Sequence, residues 1–148
     1  MIEGVVFKNI KSHIDDRGFF REVFKNNDTE INKKFNQISH SYIKKNIIKA
    51  WHIHKKQYQW NYLIKGKIYL FLYDLRVKSK TYKKKIKIVL DAKKKIKMYY
   101  FPPHVAHGYK TLADNNHMLY GTSGFYDPQE EYKLPLINKY IPNFFREI

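Results

Sequence analysis

A two-residue period, repeated in short runs, constrains this chain most. Charged and apolar residues alternate through Lys85-Ile86-Lys87-Ile88-Val89-Leu90 and again through Lys95-Ile96-Lys97-Met98-Tyr99-Tyr100. That is the period of strands with one wet and one buried face. Asp91-Ala92-Lys93-Lys94, between them, reads as a turn. The run Lys65 to Asp74 is β-branched and aromatic around Gly66, and predicts a strand buried on at least one face. Asp15-Asp16-Arg17-Gly18 is a turn signal leading into an aromatic strand, Phe19 to Phe24. The polar stretch from Asn26 to Lys34 fits a loop or a short helix capped by Asp28 or Thr29. Almost no long helical period interrupts this pattern. The expected fold is therefore all-β, a β-barrel or a double-sheet jelly roll with short peripheral helices, with the tail Ile141-Pro142-Asn143-Phe144-Phe145 packed over it. At 148 residues it forms a single domain, 1–148, able to bury its own core.

Lysine and arginine outnumber aspartate and glutamate 29 to 13, a formal charge of +16 that attracts anions. The clusters Lys83-Lys84-Lys85 and Lys93-Lys94-Lys95 flank the alternating strands, where exposed lysines keep sheet edges from pairing with other chains. The charge is therefore read as a solvated face, and no nucleic acid is expected as a partner. There is no cysteine, which excludes disulfides, thiol nucleophiles and thiolate metal sites. No apolar run approaches the roughly 20 residues of a membrane span, and the N-terminus lacks a basic region followed by an apolar core. The expectation is a soluble cytoplasmic protein with no membrane partner.

His52 and His54 lie two apart in a strand-like segment, so their side chains share one face. The spacing from these histidines to Gln59 and Gly66, followed by Pro102-Pro103-His104-Val105-Ala106-His107-Gly108, resembles the paired motifs of the cupin superfamily, which are small jelly-roll barrels. In metal-binding cupins the first motif supplies two histidines and a glutamate, and the second another histidine. His52, His54 and His107 could fill the histidine places, but Gln59 stands where the anionic glutamate would be. Such sites rely on charged oxygen, so no metal is expected.

A closer resemblance runs through nearly the whole chain. Asp16-Arg17-Gly18-Phe19-Phe20-Arg21-Glu22, Gln37-Ile38-Ser39-His40-Ser41, Lys49-Ala50-Trp51-His52, Tyr73-Asp74-Leu75-Arg76, Pro103 to Gly108, and Leu119-Tyr120 ahead of Phe125-Tyr126-Asp127-Pro128 follow in order. Together they resemble the motifs of the dTDP-4-dehydrorhamnose 3,5-epimerase family, a metal-independent cupin branch. The resemblance implies proton removal and return, through an enolate, next to the 4-keto group of a nucleotide-diphospho-4-keto-6-deoxy sugar. The setting would be surface-polysaccharide precursor synthesis. It makes His52 the base and Tyr120 the acid on the opposite ring face. Imidazole, with an ordinary pKa of about 6.5, suits the base role because much of it is neutral near pH 7.

Asp74 is the candidate that orients His52, because an aspartate inside an apolar strand is costly to bury without a partner. Arg17 and Lys49, with Arg21, would meet the diphosphate through charge-assisted hydrogen bonds. By the same resemblance Phe20 forms an aromatic wall of the nucleotide pocket and Gln37 hydrogen-bonds nearby. His107 donates to the sugar or the enolate, and Glu22, His54 and Gln59 complete the substrate-binding set. No cofactor is implied. A homodimer is implied, in which the N-terminal strand exchanges between subunits.

The chain departs from the family at four places. Lys49 stands for an arginine, Gln59 for a lysine, and His54 falls in the Tyr-Gln that follows the base. The C-terminal segment carrying an aspartate that pairs with the catalytic histidine has no counterpart before Ile148. The His-x-His-Lys-Lys run also resembles sugar-nucleotide 3,4-ketoisomerases, in which His52 and His54 would share the proton transfers. A sugar-nucleotide-binding barrel without catalysis is a third reading. The segments Glu131 to Pro135 and Ala106 to Tyr109 favour the epimerase.

Overall fold

A computed structural model describes residues 1–94 and 97–147, with side chains through residue 145. Its strands are β1 (Val6–Asn9), β2 (His13–Asp15), β3 (Gly18–Phe20), β4 (Gln37–Lys44), β5 (Ile48–His54), β6 (Gln59–Lys65), β7 (Lys67–Asp74), β8 (Lys85–Asp91), β9 (Lys97–Phe101), β10 (Val105–Thr111), β11 (Asn115–Thr122) and β12 (Glu131–Lys133). They form two five-stranded antiparallel sheets, ordered β1-β9-β6-β11-β4 and β12-β5-β10-β7-β8, and the separate hairpin β2-β3. The sheets are jelly-roll-like, and among the described residues no ladder joins them into a closed barrel, the other form the sequence allowed. The core is the space between them, filled by Leu63, Phe101 and Met118 from one sheet and Leu70, Leu72 and Val105 from the other.

β7 shows why its sequence lacks an alternation. Ile68, Leu70 and Leu72 face the core between the sheets. Phe71 and Tyr73 face the opposite way, against Trp51, Ile141, Phe144 and Phe145. The C-terminal tail covers this outer face as expected, so an apolar residue is favoured at every position. β6 and β7 meet at Gly66, whose φ of +103° suits glycine. A Cβ there would lie 2.3 Å from Asn116 Oδ1, the atom that accepts a hydrogen bond from the Lys67 amide.

Between β3 and β4 one sequence expectation fails and one of two alternatives holds. The strand expected over Phe19 to Phe24 pairs only through Phe20, and the stretch from Asn26 to Lys34 is the loop and not the short helix. Val23, Phe24, Ile31 and Phe35 instead pack down onto Trp60, Tyr62, Met98 and Tyr100, on the outer face of the first sheet. The chain spans this face as a strap with irregularly spaced apolar residues, and neither strand nor helix periodicity can satisfy that spacing. Its turns are held by side chains: Asn26 Oδ1 accepts from the Phe35 amide and Asp28 Oδ1 from that of Glu30.

The expected peripheral helices reduce, among the described residues, to one 3₁₀ turn at Phe144–Glu147. Of the strand expected over Lys95 to Tyr100, residues 95 and 96 lie outside the described residues. The turn over Asp91 to Lys94 closes with Lys94 N donating to Asp91 O. Lys83, Lys84 and Lys85 are exposed, at and before the start of edge strand β8. No described helix is long and apolar enough to cross a membrane.

Candidate active site

β5 sorts its residues by face. Trp51 and Ile53 are fully buried toward the tail, while Lys49, His52 and His54 line a cavity of about 230 Å³. Gln59 from β6, His107 and Tyr109 from β10, Tyr120 from β11 and Glu131 from β12 complete the wall. His107 stands directly opposite His52 in the β10–β5 ladder.

Two carboxylates serve the two β5 imidazoles. Glu131 Oε1 accepts a hydrogen bond from His52 Nδ1, and Glu130 Oε2 lies 2.6 Å from His54 Nδ1. Glu131 opens the short strand β12, which pairs with β5 along Glu131 to Lys133, and Glu130 is the turn residue just before it. The hydrogen bond from His52, outweighing partial burial, holds Glu131 below the ordinary glutamate pKa. Burial pushes Glu130 the other way. It is overcome by the amides of Lys56 and Gln57, each 2.7 Å from Oε1, and by His54, so the net shift is again downward. A carboxylate on Nδ1 fixes the tautomer and leaves Nε2 for proton transfer. For His54 that second nitrogen is taken: Gln59 Nε2 lies 3.0 Å away and, with Nδ1 protonated toward Glu130, donates to it.

His107 packs against Phe101 and both other imidazoles, at ring separations of 4.6, 5.8 and 5.4 Å. Desolvation first, then the neighbouring His54 and His52, pushes its pKa well below the ordinary value, so the ring is neutral. Its Nδ1 donates to Val105 O at 3.3 Å. Nε2 is therefore left as an acceptor, and the donating role expected of His107 is replaced by an accepting one. Tyr120 completes the site; its hydroxyl lies 2.9 Å from Tyr109 Oη and 3.1 Å from Ser41 Oγ.

The structure thus gathers His52, His54, His107, Tyr120, Lys49 and Gln59 around one cavity. It places Asp74 elsewhere. That residue is fully buried at the far end of β7, and its carboxylate accepts from Arg76 Nε and N, Ser79 Oγ and Thr81 Oγ1. Asp74 therefore does not orient His52, because its hydrogen bonds go to its own turn.

Arg17, Phe20, Glu22 and Gln37 are also absent from the lining of this cavity. Arg17 is 85% exposed in the β2–β3 turn, paired with Asp15. Phe20 is exposed on that hairpin, and Glu22 pairs with Lys25 at 2.7 Å. Gln37 binds the Tyr126 amide and Ser39 Oγ. Sequence reasoning missed Glu130, Glu131 and Tyr109 as site residues. The available signal was a pair of adjacent acids, among only 13 in a strongly basic chain, ahead of a short strand-like Tyr132-Lys133.

Among the described residues no group of three or more His, Asp or Glu side chains is arranged to hold a metal ion. The carboxylates already occupy the Nδ1 atoms of His52 and His54.

A sequence profile of the dTDP-4-dehydrorhamnose 3,5-epimerase family matches residues 1–141. The chain is 35% identical over 131 residues to the spore coat polysaccharide biosynthesis protein SpsL of Bacillus subtilis (strain 168), covering 88% of this chain and 85% of that one. It is 28% identical over 137 residues to the dTDP-4-dehydrorhamnose 3,5-epimerase of Escherichia coli (strain K12), covering 88% and 74%. Among solved structures, a dTDP sugar isomerase from Desulfovibrio desulfuricans G20 superposes with a TM-score of 0.87 at 21% identity, over 95% of this chain and 90% of that one. The dTDP-4-dehydrorhamnose 3,5-epimerase of Bacillus anthracis, with TDP and PPi bound, superposes with a TM-score of 0.84 at 25% identity, over 93% and 82%.

Proposed function

Because the chain belongs to the dTDP-4-dehydrorhamnose 3,5-epimerase family, we propose that it is an isomerase inverting C3, C5 or both of a nucleotide-diphospho-4-keto-6-deoxy sugar, in the making of surface-polysaccharide precursors. The observation that carries the reading is the His52–Glu131 pair in a cavity that also holds Tyr120. His52 Nε2 takes the proton from the carbon beside the ketone. The electron pair moves into the enolate, and the Tyr120 hydroxyl returns a proton to the other face. General acid–base catalysis of this kind contributes about 10²–10⁴-fold. Glu131 holds the His52 tautomer and stabilises the imidazolium once it forms. Lys49, exposed where it lines the cavity, is the residue assigned to the diphosphate; its presence there and the TDP and PPi bound in the B. anthracis structure support the assignment.

The contact between His54 Nε2 and Gln59 favours epimerisation over the carbonyl migration in which His52 and His54 would share the proton transfers. The test is to incubate the protein with a dTDP-4-keto-6-deoxyhexose in deuterium oxide and follow the ring protons by NMR, beside a His52→Asn control. Exchange at C3 or C5 that vanishes in the control supports the reading and shows which centres react. A bound sugar that takes up no deuterium overturns catalysis in favour of a binding protein.

We also infer a homodimer, supported by the exposed apolar hairpin β2–β3. In such a dimer the N-terminal strand would help complete the other subunit's pocket, and Arg17 and Phe20 would there meet the diphosphate and the nucleotide as the family resemblance implies.

A further inference from the structure

We propose that Tyr109 and Ser41 form a two-donor cradle that holds Tyr120 as a phenolate after it has delivered its proton to the substrate. The inference rests on Tyr120 being the acid of the proposed reaction. Three strands meet here: Ser41 comes from β4, Tyr109 from β10 and Tyr120 from β11. Ser41 Oγ donates to Tyr120 Oη at 3.1 Å, and Tyr109 Oη lies 2.9 Å from the same atom. Among the described residues Tyr120 Oη also lies 3.7 Å from Met118 Sδ, a weak acceptor that competes poorly for the phenolic proton.

When the Tyr120 O–H bond breaks and the C–H bond forms, the enolate electron pair moves to the carbon and the ketone is restored. The phenolate left behind can only accept hydrogen bonds. Tyr109 remains a donor at that moment, because burial first and the neighbouring Tyr120 second push its phenol pKa far up. Hydrogen bonds to a charged oxygen are about twice as strong as neutral ones, so the cradle lowers the energy of the charged state far more than that of the resting phenol. Solvent then reprotonates Tyr120 and removes the proton from His52. Tyr109 and Ser41 act through Tyr120 and are positioning residues.

The test compares Tyr109→Phe, Ser41→Ala and Tyr120→Phe, each alone, with the Tyr109→Phe/Tyr120→Phe pair, following substrate-proton exchange and kcat across pH. Tyr109→Phe keeps the buried ring and removes one oxygen. The expected result is a fall in kcat of about 10–100-fold with KM little changed, and an alkaline limb moved to higher pH. The Tyr109 change should have no further effect once the Tyr120 hydroxyl is gone. Lys49, His52, His54, His107 and Glu131 around the cavity, and Tyr99 beside the phenol, are the same in all variants, so a moved limb reports Tyr120. An unmoved limb, or an equal loss in the Tyr120→Phe background, overturns the cradle while leaving the acid in place. A Tyr120→Phe enzyme with the parent rate overturns the acid assignment and the cradle with it.

Discussion

His52 Nδ1 is hydrogen-bonded to a carboxylate from 79 residues further along the chain, Glu131. Replacing that carboxylate by an amide inverts the logic of the pair. In Glu131→Gln the amide N–H can face Nδ1, which must then accept, so the ring proton moves to Nε2 and the base is blocked. The expected outcome is a loss of roughly 10²–10⁴-fold in kcat with KM little changed, measured by steady-state kinetics. A variant within a few-fold of the parent would remove Glu131 from the mechanism.

Asp74 should behave in the opposite way. Its buried carboxylate is held to about pKa 2: burial raises it, and the hydrogen bonds from Arg76, Thr81 and Ser79 lower it further. Removing the carboxylate takes away the carboxylate partner of the Arg76 guanidinium, which keeps Glu3 O, and breaks the hub that joins it to the Ser79 and Thr81 hydroxyls. Asp74→Ala is expected to lose about 3 kcal/mol of stability, a melting-temperature drop of roughly 10 °C, with kcat kept at temperatures where the variant is folded. The depressed pKa also sets a sign. The contribution of Asp74 is fully present above the ordinary aspartate range near pH 4 and fades as pH falls toward 2. A stable variant with lost turnover would return Asp74 to the active site.

What the sequence made legible follows from what is local. The His52/His54 face was readable because strand alternation is fixed by backbone geometry, and Trp51 and Ile53 duly turn the other way. The lysines at β8 were readable because edge strands have few alternatives. The carboxylate partner of His52 was not, because β12 is three residues long and its pairing with β5 is a tertiary event without periodicity. Asp74 misled for a related reason. An acid in an apolar strand demands a partner, but the demand does not say which one, and a turn two to seven residues away met it first. In the strap from Val23 to Phe35 the loop over Asn26 to Lys34 was one of the two readings offered, but its packing was unreadable because its apolar residues answer to the sheet beneath them.

The neutral His107 predicts a pH signature in stability. Its pKa is depressed on folding, so below the ordinary histidine value near 6.5 the unfolded chain binds a proton that the folded chain refuses. Stability from this group is therefore complete above about pH 6.5 and falls as pH drops below it, by up to about 1.4 kcal/mol per pH unit. Thermal melts of the parent and His107→Asn between pH 7 and 5 should converge toward the acid end. Curves that run parallel would mean His107 is protonated in the folded protein.

The hairpin β2–β3 carries the last prediction. Ile14, Phe19 and Phe20 are 79%, 62% and 66% exposed on a ribbon that pairs with no third strand among the described residues. An isolated two-stranded hairpin is marginal in water, and a cluster of large apolar side chains held out in solvent marks a surface made for contact. The hairpin is braced by the Asp15–Arg17 pair at its turn and by the Arg21 guanidinium, 3.7 Å over the Phe19 ring and bonded to Ser12 Oγ and Tyr62 Oη, and its apolar rings stay exposed even so. In the proposed homodimer a second copy of the chain would supply that apolar partner. Sedimentation at micromolar concentration should then give a dimer. Phe19→Ser/Phe20→Ser should shift it to monomer by at least tenfold in dissociation constant, with the strand signature in circular dichroism unchanged, because these rings contribute nothing to the core between the sheets. A parent protein that sediments as a monomer would leave the hairpin's exposed rings without a partner copy and would overturn the dimer.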